Sequence, residues 1–104
     1  MAEDRIAYYQ GFVDKDPRNT MAWYVLAQEH AKAGALQEAV AAYRRVIEVD
    51  PAYVAAYYHG AMALQATGDV AAARELLAEG LVACRQKGDD KTAAEIQDLL
   101  SQLG

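Results

Sequence analysis

Apolar residues in this chain recur at three- and four-residue steps, and the pattern is broken at intervals by glycine or by Asp-Pro. Ala22, Trp23, Leu26, Ala27 and His30 share one helical stripe, as do Leu36, Ala39, Val40, Tyr43, Val46 and Ile47. Near the end, Ala93, Ile96, Leu99, Leu100 and Leu103 form another, opposite a polar face of Lys91, Glu95, Asp98 and Gln102. Strand-period alternation is absent. Asp16-Pro17 and Asp50-Pro51 each stop one helix and precede the next. Gly34, Gly68 and Gly88 stand where a helix end needs a left-handed residue, and Asp69 and Asp89 follow two of them as N-caps. These signals predict six helices, near residues 3–14, 20–33, 36–49, 53–66, 70–86 and 90–103. Loops of only a few residues force consecutive helices to pack antiparallel.

The punctuation repeats with a period of 34 residues. Pro17 recurs as Pro51, Trp23 as Tyr57, Ala27 as Ala61, Gly34 as Gly68 and Ala39 as Ala73; Tyr9 recurs as Tyr43 and Tyr24 as Tyr58. A fixed period in this range marks a solenoid of stacked supersecondary units. Such an array displays a surface rather than building a catalytic pocket.

Composition narrows the function classes. With 104 residues the chain is one small domain able to bury its own core. No apolar run approaches the roughly 20 residues of a membrane helix, and Met1-Ala2-Glu3-Asp4-Arg5 carries no signal-like apolar core. The expectation is therefore a cytoplasmic protein without a membrane association. A net charge of −5 and the lack of any basic stripe argue against nucleic acid, which needs cations to displace counterions from phosphates. The densest basic pair, Arg44-Arg45, is followed within a turn by Glu48.

Candidate chemistry is sparse. Cys84 is the single cysteine, which excludes an internal disulfide, and its apolar surroundings suit a buried small side chain. His30 and His59 are the only histidines; they fall on different helices without metal-motif spacing. No phosphate-cradling glycine motif occurs. The acidic pairs Glu3-Asp4 and Asp89-Asp90 sit at helix starts, where the macrodipole favours negative charge. Neither cofactor nor metal is expected, and enzyme activity through His30, His59 or Cys84 is a remote alternative.

The chain resembles the tetratricopeptide repeat (TPR) family, whose unit reads W-x2-L-G-x2-Y, then A-x3-F, then P. In the stretch Thr20 to Tyr53, Trp23 takes the tryptophan place, Leu26-Ala27 the leucine-glycine pair, Ala39 the alanine, Tyr43 the aromatic and Pro51 the proline. His30 replaces the usual tyrosine. In the next stretch Tyr57, Ala61, Gly68 and Ala73 fit, Leu77 replaces the aromatic, Arg85 falls where proline would, and Gly60 replaces leucine. That glycine is expected to remove a core side chain at about 1 kcal/mol of helix propensity. The resemblance implies an all-α, TPR-like α-solenoid in one domain, 1–104. Its parts are a half repeat 1–19, repeats 20–53 and 54–88, and a C-terminal capping helix 89–104. In the half repeat, Tyr9, Phe12, Val13, Asp16 and Pro17 match Tyr43, Val46, Ile47, Asp50 and Pro51, while Arg5 departs from the alanine pattern. Small residues at 27, 39, 61 and 73 would let helices approach, with Trp23, Tyr43 and Tyr57 filling the gaps; Trp23→Ala would then cost about 3–5 kcal/mol.

The resemblance also implies a non-enzymatic protein-interaction module that binds a peptide or partner protein on its concave face. By position, that face would hold Met21, Tyr24, Gln28 and Lys32, then Ala55, Tyr58, Met62 and Gln65, then Lys91 with Ala94 and Asp98. One TPR subclass grips the C-terminal carboxylate of heat-shock chaperones with Lys, Asn and Arg side chains. The corresponding places here hold Tyr24, Gln28, His59, Lys91 and Glu95, so binding of a chaperone C-terminal tail is not expected. The competing expectation is a homodimer, because the first helix lacks a complete repeat's partner and leaves Ile6, Tyr8 or Tyr9 uncovered.

Overall fold

A computed structural model describes residues Ala2–Gly104; Met1, the first residue of the half repeat 1–19, lies outside the described residues. The described residues form six α-helices: α1 (Ala2–Lys15), α2 (Thr20–Lys32), α3 (Leu36–Val49), α4 (Val54–Ala66), α5 (Val70–Lys87) and α6 (Asp90–Leu103). Each packs on its neighbours in sequence, and α4 also reaches α6, giving a body of 36 × 28 × 18 Å. This is the all-α, TPR-like arrangement the period implies.

The helix ends follow their local chemistry. Asn19, Asp69 and Asp89 accept the backbone N–H groups of Ala22, Ala72 and Thr92 at 3.0, 3.1 and 2.9 Å, satisfying donors the first turn would leave orphaned. Asp16 and Asp50 do the equivalent in the proline loops, accepting from Arg18 and Ala52 N–H. Gly34, Gly68 and Gly88 adopt φ of +79°, +91° and +78°, a region that penalises any Cβ. Helix α5 runs one turn longer than its counterpart α3, because Arg85 stands where a proline would have ended it.

The core runs from α2 to α6, with Ala27, Ala39, Ala61 and Ala73 fully buried between helices. Tyr43 and Tyr57 are buried as expected. Trp23 is not: it is half-buried, with the Arg45 guanidinium 5.3 Å from its ring centre, so less of its area leaves water than a core position implies. What Trp23 and Tyr57 share is a donor. The Trp23 indole donates to the Pro17 carbonyl at 2.8 Å and the Tyr57 hydroxyl to the Pro51 carbonyl at 2.7 Å. Each ties a proline loop to the helix it precedes.

Gly60 also differs from expectation. Its missing side chain leaves no hole, since a Cβ there would lie 3.0 Å from Leu76 and 3.3 Å from Tyr43. Gly80 is tighter, with Tyr57 Cβ at 2.7 Å and Ile96 Cδ1 at 2.9 Å from the same imaginary atom. The two glycines let bulky neighbours fill the space instead. A smaller cluster of Val13, Ala22 and Leu26, covered by Ile6, Tyr9 and Trp23, fastens α1 to α2.

Candidate functional site

Helices α2, α4 and α6 are connected through side chains on one flank. Tyr24 on α2 packs edge-on against Tyr43 of α3 (5.8 Å between ring centres) and lies 4.9 Å from Tyr53 and 6.1 Å from His59. His59 stacks over Tyr43 at 6.3 Å and meets Tyr58 edge-on at 5.2 Å. Burial depresses the His59 pKa, with the Glu95 carboxylate of α6 opposing that shift. Burial, reinforced by Tyr24, holds the Tyr43 hydroxyl up at about 12. Tyr24 is raised for the same first reason, with Tyr53 adding to it. The cluster is thus electrically neutral near pH 7.

Of the residues expected to face a partner, Met21, Lys32, Met62, Gln65 and Lys91 are exposed, while Tyr24, Gln28, Ala55 and Tyr58 are half-buried. Tyr24 and Tyr58 are bridged by His59, so both have a packing role. Lys32 is committed elsewhere, its ammonium 3.4 Å from Glu29. Glu29 itself is buried, and the Arg5 guanidinium of α1 reaches it at 2.8 Å. Arg5, a departure from the alanine pattern, is therefore the counter-ion of a buried acid.

Two clefts lie away from this flank. One, of about 340 Å³, opens where α1 and α3 diverge over α2, and is lined by Trp23, Leu26, His30, Ala42 and Arg45 among others. His30 and Ala42 correspond to Leu64 and Leu76 one period on, which are larger or more apolar and buried. The second, about 210 Å³, lies on α1 over Gly11 between Tyr8, Phe12 and Lys15. Of Ile6, Tyr8 and Tyr9, any of which could have been left uncovered, Tyr8 is the exposed one, while Ile6 and Tyr9 pack toward α2.

The remaining candidate chemistry does not converge. His30 lines the first cleft and His59 sits in the aromatic cluster. Cys84 is buried in α5, and burial together with Asp89 pushes its thiol up, lowering the thiolate fraction. Among the described residues no three His, Cys, Asp or Glu side chains group as metal ligands. No described helix is long and apolar enough to cross a membrane.

A family model for the TPR repeat matches residues 27–68. A tetratricopeptide repeat domain protein from Salinibacter ruber is similar in two determinations. Its crystal structure is 30% identical over 82% of this chain and 94% of that one, with a TM-score of 0.75. Its solution structure is 32% identical over 85% and 89%, with a TM-score of 0.77. The chain belongs to the TPR family. A TPR2B domain of yeast Sti1, solved in complex with pHsp70, is 26% identical over 94% of this chain and 78% of that one, with a TM-score of 0.87. No curated protein gives a match. TPR domains are generally protein–protein interaction modules, and this TPR chain has the matching all-α architecture.

The family pattern did not single out Tyr53 or Glu29, and it matched Phe12 to Val46 without marking it as exposed. Tyr53 stands one period from Asn19 at a helix-capping position, and only the tertiary structure brings its ring to Tyr24. Glu29 lies between Gln28 and His30 with Lys32 three residues on, a spacing that could have flagged a local ion pair. Phe12 aligned with the buried Val46, yet it remains 41% exposed.

Proposed function

We propose that this TPR domain is a non-enzymatic adaptor that binds an uncharged or weakly basic peptide segment along α2, α4 and α6. The observation that supports this most is the pairing of a rigid aromatic cluster with exposed methionines on the same helices. Tyr24, Tyr58 and His59 hold one another by edge contacts, and Met21 and Met62 stand one turn from Tyr24 and Tyr58. Aromatic rings lose little entropy on binding, and methionine adapts to varied side chains. Exposed Gln65 and half-buried Gln28 supply hydrogen bonds to a backbone. In this reading the repeats are 20–53 and 54–88, flanked by the half repeat 1–19 and the cap 89–104.

An acidic chaperone tail is a poor fit. Lys32 is drawn to Glu29, leaving Lys91 as the proposed contact cation that makes no ion pair among the described residues, and Glu95 stands beside His59. The pHsp70 seen with the yeast Sti1 domain is accordingly not the ligand expected here. Peptides selected from a display library test the proposal by calorimetry. Met62→Glu is expected to weaken the selected peptides at least about tenfold, as loss of an anchor worth more than 1.4 kcal/mol would. Binding that survives both Met62→Glu and Met21→Glu would refute the assignment of the face.

A further inference from the structure

We infer that the outer face of α1 is a self-complementary docking surface that pairs two copies of this chain antiparallel. The face is apolar and uncovered: Tyr8 is 62% and Phe12 41% exposed. One period on, the same positions are Ala42 and Val46, both buried by neighbouring helices. No described residue covers the outer side of α1 in the same way. The proposal goes beyond the concave-face reading and uses a different surface.

The identity of the occupant comes from the order of residues along the stripe. Helical spacing places Asp4, Ala7, Tyr8, Gly11, Phe12 and Lys15 on one face. Small residues, Ala7 and Gly11, line one side of that stripe and aromatics, Tyr8 and Phe12, the other. Tyr8 and Phe12 meet edge-on at 4.9 Å, which fixes the aromatic ridge. Beside it lies the 210 Å³ notch over Gly11, walled by Tyr8, Phe12 and Lys15. A Cβ at Gly11 would touch nothing within 4 Å, so the notch is open.

A two-fold axis crossing α1 between residues 9 and 10 matches this order with itself. It sets Asp4 at the level of the partner's Lys15 at both ends of the contact. It also sets Tyr8 beside the partner's Phe12, at the level of the partner's Gly11, and Ala7 near the partner's Gly11. Opposite charge, aromatic contact and close approach are satisfied in one register. Neither Asp4 nor Lys15 makes an ion pair among the described residues, so both are free for the partner. The other candidate surface, α6 of a second copy, presents exposed Lys91, Glu95, Asp98 and Gln102, which offer nothing to an aromatic ridge.

One pair of 14-residue helices is a small interface, so the dimer should be weak, with a dissociation constant on the order of 10–500 μM. Sedimentation equilibrium from 10 μM to 1 mM, at about 0.15 M salt where the Debye length is about 8 Å, is the test. The expected result is a mass rising from 11.3 kDa toward twice that value and stopping there. Gly11→Gln fills the notch and should weaken association at least about tenfold, while better helix propensity raises the melting temperature. Asp4→Lys should weaken it about fivefold through two symmetric contacts, and adding Lys15→Asp should restore it to within about twofold. A monomer mass at every concentration would overturn the proposal, as would species larger than a dimer, which mean head-to-tail stacking. A dimer indifferent to Gly11→Gln, or a charge exchange that fails to restore association, would overturn the register.

Discussion

At the scale of single residues, stability rests on a few contacts whose removal has a calculable effect. The loop-tying bonds from Trp23 and Tyr57 are the first. Trp23→Phe and Tyr57→Phe keep most of the ring and lose the donor, so each should cost about 1 kcal/mol in denaturant unfolding. Because Trp23 is half-buried, Trp23→Ala should cost about 2 kcal/mol, below the range for a filled core site. Arg5 is the second case. Arg5→Ala leaves the buried Glu29 with only the longer Lys32 contact, and should destabilise by about 1–3 kcal/mol, more than Lys32→Ala. Equal effects of the two variants would mean that Arg5 is a surface ornament. Gly80 is the third. Its alanine gains up to about 1 kcal/mol of helix propensity. The new Cβ would nonetheless press on Tyr57 Cβ at 2.7 Å, an overpacking of about 1–3 kcal/mol, so Gly80→Ala should lower the melting temperature.

At the scale of elements, each helix end is a local device, and local devices are legible in a sequence. Asp69, Asp89 and the glycines at 34, 68 and 88 were visible as caps because a carboxylate accepting an N–H, or a residue at positive φ, involves only neighbours in the chain. The helix boundaries follow from them within about a residue. The burial of Ala27, Ala39, Ala61 and Ala73 was legible too, since the period repeats it. What escaped depends on which helices meet. Gly60 reads as a defect until Tyr43 and Leu76 are seen to occupy its space. Arg5 reads as a mismatch until Glu29 appears opposite, and Tyr53 as the first residue of a helix until its ring reaches Tyr24. For the proposed binding face, the sequence offered positions, and the structure supplies their surroundings: Tyr24 and Tyr58 are braced by His59, while Met21 and Met62 stand free. Asn19→Ala, which removes the α2 cap, should cost about 1 kcal/mol with no change in the length of α2 beyond its first turn.

At the scale of the whole molecule, the aromatic cluster joins α2, α3 and α4 and so couples the fold to pH at both extremes. His59 has a depressed pKa in the folded protein because burial disfavours its charged form. The unfolded chain binds that proton more readily, near the reference value of about 6.5. Stability is therefore full above that value and declines as pH falls through the window between it and the lower folded-state pKa. Tyr43 works in the opposite sense. Its folded-state pKa stands at about 12, while the unfolded value is near 10, so the unfolded state loses its proton first. Stability is full below about 10 and is lost as pH rises from there toward 12. Thermal melts across pH should show a plateau between these limits. His59→Gln should flatten the slope on the acid side below about 6.5, and Tyr43→Phe should flatten the alkaline side above about 10. Ultraviolet titration gives an independent reading, because the Tyr43 phenol of the folded protein should ionise at about 12, above the ordinary tyrosine value. If the acid slope persists unchanged in His59→Gln, carboxylates such as Asp89, whose pKa is held down by the Thr92 N–H and hydroxyl, are the groups that set it. Their window lies lower, below the ordinary carboxylate value of about 3.9, so the position of the slope separates the two causes.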